Sequence, residues 1–254
     1  MGSAVSRNQD RRRGSGLLGV VGGMGPRATT DFLNKLQDLT PASVDQEHIP
    51  VLTYVLPQIP DRAGAILHGT ESPFAAMRDA AQVLESAGAA AIVVPCNTAH
   101  FWFDALQASV RTPMISMIDA VIDQVRKVGG GAAVGLIGTS ATMQADIYHS
   151  AMAAAGLDLI VPVPADQARV VEVIQAVKAG RIASVRHALD GVVRNLAARG
   201  ARTCILGCTE LPLLTYARFD GCFVDSTLAL ARACVEWSAR SRTAAFGDLD
   251  SSSI

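Results

Sequence analysis

The chain has 254 residues, half of them hydrophobic, with only 5% aromatic and 18% charged. That composition supplies a core for one large α/β domain or two small ones and excludes disorder over most of the length. No apolar run approaches the ~18–20 residues that span a bilayer, so a membrane protein is excluded. The 22 basic and 23 acidic residues nearly balance. Because Arg7, Arg11, Arg12 and Arg13 crowd the first sixteen residues, the body is net acidic and lacks the positive field that nucleic acid requires.

Taken in chain order, residues 1–16 form a Gly-, Ser- and Arg-rich arm, read as a disordered, solvated tail. Leu17 to Val21 is a wholly apolar run, expected of a strand buried on both faces. Gly22, Gly23 and Gly25 then lead to Pro26, a favoured first helical residue. That helix continues through Leu36, and Val51 to Leu56 is the next strand. Ile59 to Gly69 reads as a loop. Ser72-Pro73 opens a helix that Gly88 closes. Ala89 to Val94 is a strand ending at Pro95-Cys96-Asn97-Thr98. A helix over Phe101 to Ala108, a strand over Pro113 to Ser116 and a helix over Ile118 to Val128 follow.

The pattern then restarts. Ala132 to Ile137 is a strand, Gly138-Thr139-Ser140 its turn, and Thr142 to Gly156 a helix. Leu157 to Val161 is a strand; Ala168 to Gly180 and Ile182 to Gly200 are helices. Thr203 to Leu206 is a strand ending at Gly207-Cys208-Thr209-Glu210. Cys222 to Asp225 is a short strand, Thr227 to Ala239 the last helix, and 242–254 a disordered tail. Strand–helix alternation predicts parallel sheets. The restart is an internal repeat: Gly19-Val20-Val21-Gly22 corresponds to Gly135-Leu136-Ile137-Gly138, and Pro95-Cys96-Asn97-Thr98 to Gly207-Cys208-Thr209-Glu210. The fold expected is α/β, with two pseudo-symmetric lobes, each a parallel sheet flanked by helices, and the active site in the cleft between them. The lobes span 17–119 and 120–224, with the C-terminal helix (225–240) returning to the first.

Five cysteines without a CxxC pair, and no signal-peptide-like stretch in the arm, suit reduced thiols in a cytoplasmic protein. Cys204, Cys222 and Cys234 read as small buried hydrophobes. Cys96 and Cys208 do not. Both stand just past the C-terminal end of a parallel strand, where open α/β sheets bind ligands. Polar neighbours accompany both, and each is followed by residues that can start a helix, which would lower a thiol pKa.

Gly22-Gly23-Met24-Gly25 lacks the third glycine of a dinucleotide loop and the Lys-Ser/Thr of a phosphate loop. It reads as a turn whose backbone N–H groups suit a small carboxylate, or as a tight turn only. Arg62, beside Asp61, suits a forked contact to a carboxylate, with a surface ion pair as the alternative. Lys178 ends a helix and serves either a substrate anion or the helix dipole. The five histidines show no metal-ligand spacing, so no metal is expected. His100 reads as structural, with a thiol partner as the alternative.

Gly22-Gly23-Met24-Gly25-Pro26, Pro95-Cys96-Asn97-Thr98-Ala99-His100 and Gly207-Cys208-Thr209-Glu210-Leu211-Pro212 together resemble the aspartate/glutamate racemase family, on its aspartate racemase branch, over roughly residues 17–240. The resemblance implies an isomerase that uses no pyridoxal phosphate or other cofactor and is often a homodimer. It holds an acidic amino acid between two acid/base cysteines, here Cys96 and Cys208. It further implies that Asn97, Thr98, Ala99, Thr209 and Glu210 contact the α-carboxylate and ammonium. Met24 and Gln58 would line the pocket, Arg62 and Lys178 would clamp the side-chain carboxylate, and Thr139 would join at the equivalent turn. Glu210 stands where glutamate racemases carry His, and Gly-Gly-Met-Gly where they carry Asp-Ser-Gly. Both differences favour aspartate, with glutamate second. Decarboxylases and isomerases of small dicarboxylates share such cysteines, and a non-catalytic acidic amino-acid binder is the alternative of a different class.

Overall fold

The computed structural model describes residues 16–129 and 133–250. Among the described residues, eight strands form two four-stranded sheets in which every neighbouring pair is parallel. The first contains β1 (Leu18–Gly22), β2 (Val51–Val55), β3 (Ala91–Val93) and β4 (Met114–Ile115), in the order β2-β1-β3-β4. The second contains β5 (Ala133–Gly138), β6 (Asp158–Ile160), β7 (Thr203–Gly207) and β8 (Cys222–Asp225), in the order β6-β5-β7-β8. The second order is the first shifted by four strands, so the sequence repeat is a repeat of topology. β1 and β7, apolar throughout apart from Thr203, are buried along their whole length, as inner parallel strands must be.

The helices are α1 (Pro26–Leu39), α2 (Arg62–His68), α3 (Phe74–Ser86), α4 (Phe103–Ser109), α5 (Met117–Val128), α6 (Ser140–Gln144), α7 (His149–Ala154), α8 (Pro164–Lys178), α9 (Asp190–Ala198) and α10 (Ser226–Asp250). One apolar cluster joins both sheets. It brings Leu18 and Val20 together with Leu136 and Ile205, and also with Leu230 and Cys234 of α10. Two further clusters cover the remaining faces, one in each sequence half. The C-terminal helix packs on α1 and α5. Asp225 fixes its start: Oδ1 accepts the N–H groups of Thr227 and Leu228 at 2.8 and 3.0 Å. Its Oδ2 pairs with Lys35 Nζ of α1 at 2.6 Å.

Four expectations change. The loop over Ile59 to Gly69 contains helix α2. Asp61 Oδ2 caps it by accepting Gly64 N–H at 2.6 Å, and Gly69, with φ +63°, closes it in the left-handed region. The helix expected over Thr142 to Gly156 is two, α6 and α7, separated where Asp146 adopts φ +54°. The helix expected over Ile182 to Gly200 is a 3₁₀ turn (Ile182–Val185) followed by α9. There Ser184 Oγ donates to Arg181 O at 2.8 Å, a local bond that competes with the helical ladder. The last helix runs to Asp250, through most of the expected tail. The arm expected over 1–16 lies outside the described residues except for Gly16. Among the described residues, no helix is long and apolar enough to cross a membrane.

Candidate active site

Cys96 follows β3 after Val94-Pro95, and Cys208 directly follows β7. Both are buried, and both line one small cavity between the two sheets. The first sequence half also contributes Met24, from the turn before α1, and Arg62, the first residue of α2. From the second half come Thr139, which caps α6, and Lys178, the last residue of α8. The glycine turn reaches close: a Cβ on Gly25 would lie 3.4 Å from Glu210 Oε1. Gly23, with φ +100°, leaves no room for any Cβ, which would fall 2.5 Å from the Leu56 carbonyl carbon. Its N–H donates to Thr29 Oγ1 at 2.9 Å, so that donor does not point at an anion as the sequence suggested.

The residues after each cysteine separate into two kinds. Asn97 and Thr98 reach across to the other half. Asn97 Oδ1 accepts the Tyr148 hydroxyl at 2.6 Å, and its amide donates to Ser226 Oγ at 2.9 Å, which in turn donates to Leu206 O at 2.8 Å. Burial pushes the Tyr148 phenol well up, and the charge of Cys208 adds to the effect, so this hydroxyl remains a neutral donor. Thr98 Oγ1 lies 3.2 Å from Thr139 Oγ1 and 3.1 Å from Thr142 Oγ1, and the latter two are 2.9 Å apart. Three hydroxyls thus close a triangle across the interface.

Glu210 turns back on its own cysteine. The Cys208 thiol donates to Glu210 Oε2 at 3.0 Å, and the Thr209 hydroxyl donates to the same oxygen at 3.3 Å. Burial pushes the Cys208 thiol well up, the adjacent carboxylate pushes it further, and Lys178 pulls against them. The lowering expected from a helix start does not occur at Cys208. Only a three-residue 3₁₀ turn (Leu211–Leu213) follows it, too short for aligned peptide dipoles. Burial acts to lower the Lys178 ammonium, but attraction to Cys208, Glu210 and Cys96 prevails and raises it.

Arg62 presents an unsatisfied edge. Its Nη1 donates to Ile59 O and Pro60 O at 3.2 and 3.1 Å, which steadies its own loop. Its Nε is buried with no partner, a costly arrangement that a ligand carboxylate would relieve. The Asp61–Arg62 surface pair weighed from sequence is replaced by Asp61 capping α2. His100 is structural: Nε2 accepts Met117 N–H at 2.9 Å, so Nδ1 carries the proton and donates to Cys96 O at 2.9 Å. Burial brings its pKa down to about 4.

Two expected site residues lie elsewhere. Gln58 is exposed because the chain turns at Leu56–Ile59, burying Ile59 and sending Gln58 outward. Ala99 is buried in the same apolar cluster as Met24 and Cys96 but is not among the residues lining the cavity. Residues that sequence reasoning missed include Asp61 and Ala63, both at the cavity wall, and the supporting Thr142, Tyr148 and Ser226. Asp61 carried a signal, an N-cap type with Gly69 eight residues on. Tyr148, in an Ala-rich run, carried none. The cavity measures only about 20 Å³, room for about one water molecule, so an amino acid must displace part of the wall to enter. Helix α2 is the part least held, since none of its residues is buried.

The Asp/Glu/hydantoin racemase family profile matches residues 21–234. An aspartate racemase from Picrophilus torridus superposes with a TM-score of 0.79 and 31% identity, covering 88% of this chain and 94% of that one. An aspartate racemase homologue from Pyrococcus horikoshii superposes with a TM-score of 0.70 and 28% identity, over 87% and 98% of the two chains. The broad specificity amino-acid racemase RacX of Bacillus subtilis is 29% identical over 226 residues, 86% of this chain and 96% of its own. With the profile covering both cysteine motifs and the glycine turn, this chain belongs to the Asp/Glu/hydantoin racemase family.

Proposed function

We propose that this chain racemises an acidic amino acid, aspartate first and glutamate second, without a cofactor, by proton transfer between Cα and two cysteines. The observation that carries the reading is the pair itself: two thiols at repeat-equivalent strand ends, lining one cavity between two sheets. Racemisation removes a proton from one face of Cα and delivers another to the opposite face, which two groups accomplish without turning the substrate over. Cys208, holding its proton against Glu210, is the acid when Cys96 acts as thiolate base. In the reverse direction the roles exchange: the thiolate left on Cys208 is the base, and Cys96, which now carries the proton, is the acid. The carbanion-like state that forms between them is stabilised by the fixed dipoles of the site and by the Lys178 charge. Arg62, through its unpartnered Nε, takes the side-chain carboxylate. Five free cysteines suit a reducing cytoplasm. A homodimer belongs to the same reading and is checked by light scattering.

Incubation with L-aspartate in D2O tests the reaction. A racemase yields D-aspartate carrying deuterium at Cα, a decarboxylase releases CO2, and a binding protein leaves the amino acid unchanged. Either of the last two results removes the proposal.

A further inference from the structure

A second, larger cavity of about 390 Å³ lies against the catalytic one. Asp61, Ala63, Thr139 and Lys178 border both, so only these four residues stand between the two. Beyond that border the outer cavity has an apolar wall, with Leu67 from α2 facing Val171 and Ile174 from α8. Nothing in the acidic-substrate reaction uses this volume. An aspartate carboxylate would end at Arg62, at the inner cavity, and would not reach Leu67.

We infer that the outer cavity is a side-chain subsite, through which the same two thiols also racemise amino acids with long, uncharged, unbranched side chains of the methionine and norleucine class. The inference rests on the two-cysteine reading above. Its charge assignment follows from the border. A cationic end would be held by Asp61 at the border, and an anionic end by Lys178 there or by Arg62 in the inner cavity, each short of the apolar wall. An uncharged chain meets neither obstacle and places its methylene groups against Leu67, Val171 and Ile174, where removal from water favours binding. Ala63 suits the passage because its small side chain, at the border of both cavities, presents little bulk to displace.

The test compares L-aspartate, L-methionine and L-norleucine by chiral chromatography and Cα deuterium uptake, using the full chain. The wild type is expected to racemise all three. Val171→Phe, which fills the outer cavity without touching the inner one, should lower kcat/KM for methionine and norleucine by about tenfold or more and leave aspartate within about twofold. Gln175→Trp, at an exposed position on the same cavity, repeats the block where Val171→Phe fails to fold. Turnover of aspartate but not of methionine or norleucine overturns the inference and leaves the two-cysteine reading standing. Turnover of none of the three removes both. Equal losses on all three substrates in both variants also overturn the subsite, since they would show a general disturbance of the fold.

Discussion

Glu210→Gln separates the charge of the Glu210 carboxylate from its shape. The carboxylate is buried, accepts the Cys208 thiol at 3.0 Å and opposes its ionisation. For charge centres about 4 Å apart at an effective dielectric constant of about 20, the repulsion is about 4 kcal/mol. Removing it raises the Cys208 thiolate population at fixed pH by up to about a thousandfold. A less basic thiolate is also a weaker nucleophile, with a Brønsted slope of about 0.4–0.5, which takes back nearly half of that exponent. The net expectation is roughly 30- to 50-fold faster alkylation of Cys208 at pH 8. The assay is timed iodoacetamide labelling with peptide mass spectrometry in a Cys96→Ala background, so that one site thiol remains. The same substitution should slow racemisation equally in both directions, because the enantiomers have equal free energy in water. A Cys208 labelling rate unchanged within about threefold, or slower, would refute the reasoning, since Glu210 would then not oppose the thiolate.

The other predictions concern the thiols, the clamp and the buried histidine. Cys96→Ala and Cys208→Ala should each abolish inversion yet permit Cα deuterium uptake, from opposite enantiomers in the two variants. NMR of recovered aspartate showing uptake from the same enantiomer in both would mean that the thiols do not flank Cα. Arg62→Ala should lower kcat/KM for aspartate by about 10- to 100-fold, the range of a charge-assisted hydrogen bond, while circular dichroism stays unchanged; kinetics like those of the wild type remove Arg62 from the site. His100, neutral when folded with a pKa of about 4, protonates more readily once unfolded, so its stabilisation is complete above pH ~6.5 and is lost as pH falls through 4. Urea titrations should show roughly 3 kcal/mol less stability at pH 4 from this group. His100→Gln should flatten that slope, and an unaltered slope would exclude His100 as its source.

What was legible in the sequence was whatever local chemistry determines. Apolar runs closed by glycine marked the parallel strands, because a strand buried on both faces has no polar alternation to hide it. The repeat located the two cysteines because their neighbours repeat with them. Failures came where distant contacts decide. Nothing local breaks the helix near Asp146, but the break lies beside Tyr148, which is buried and bonded to Asn97. Ala99 directly follows a cavity residue, Thr98, yet its side chain packs into the core within the 3₁₀ turn. Helix α2 was missed for another reason. Its signals, Asp61 and Gly69, are present, but only seven residues separate them, without an apolar face to announce a helix.

The repeat also frames how a symmetric fold holds an asymmetric pair of acids. Cys96 and Cys208 occupy equivalent strand ends, and Thr98 and Glu210 are the equivalent residues two positions on. Thr98 directs its hydroxyl across the interface to Thr139 and Thr142, whereas Glu210 directs its carboxylate to its own Cys208. The fold therefore supplies geometric symmetry, one thiol from each sheet, while a single pair of residues makes the two thiols chemically unequal. The proposed two-thiol racemisation would tolerate that inequality. With an equilibrium constant of one, the two directions share one transition-state free energy relative to free enzyme and substrate, however the protons are distributed at rest. Unequal thiols alter which protonation state of the free enzyme predominates, and so which enantiomer meets a ready base. In the proposed mechanism, fixing one thiol as acid would give a resting enzyme with a defined proton, which an identical pair of thiols would share between two microstates.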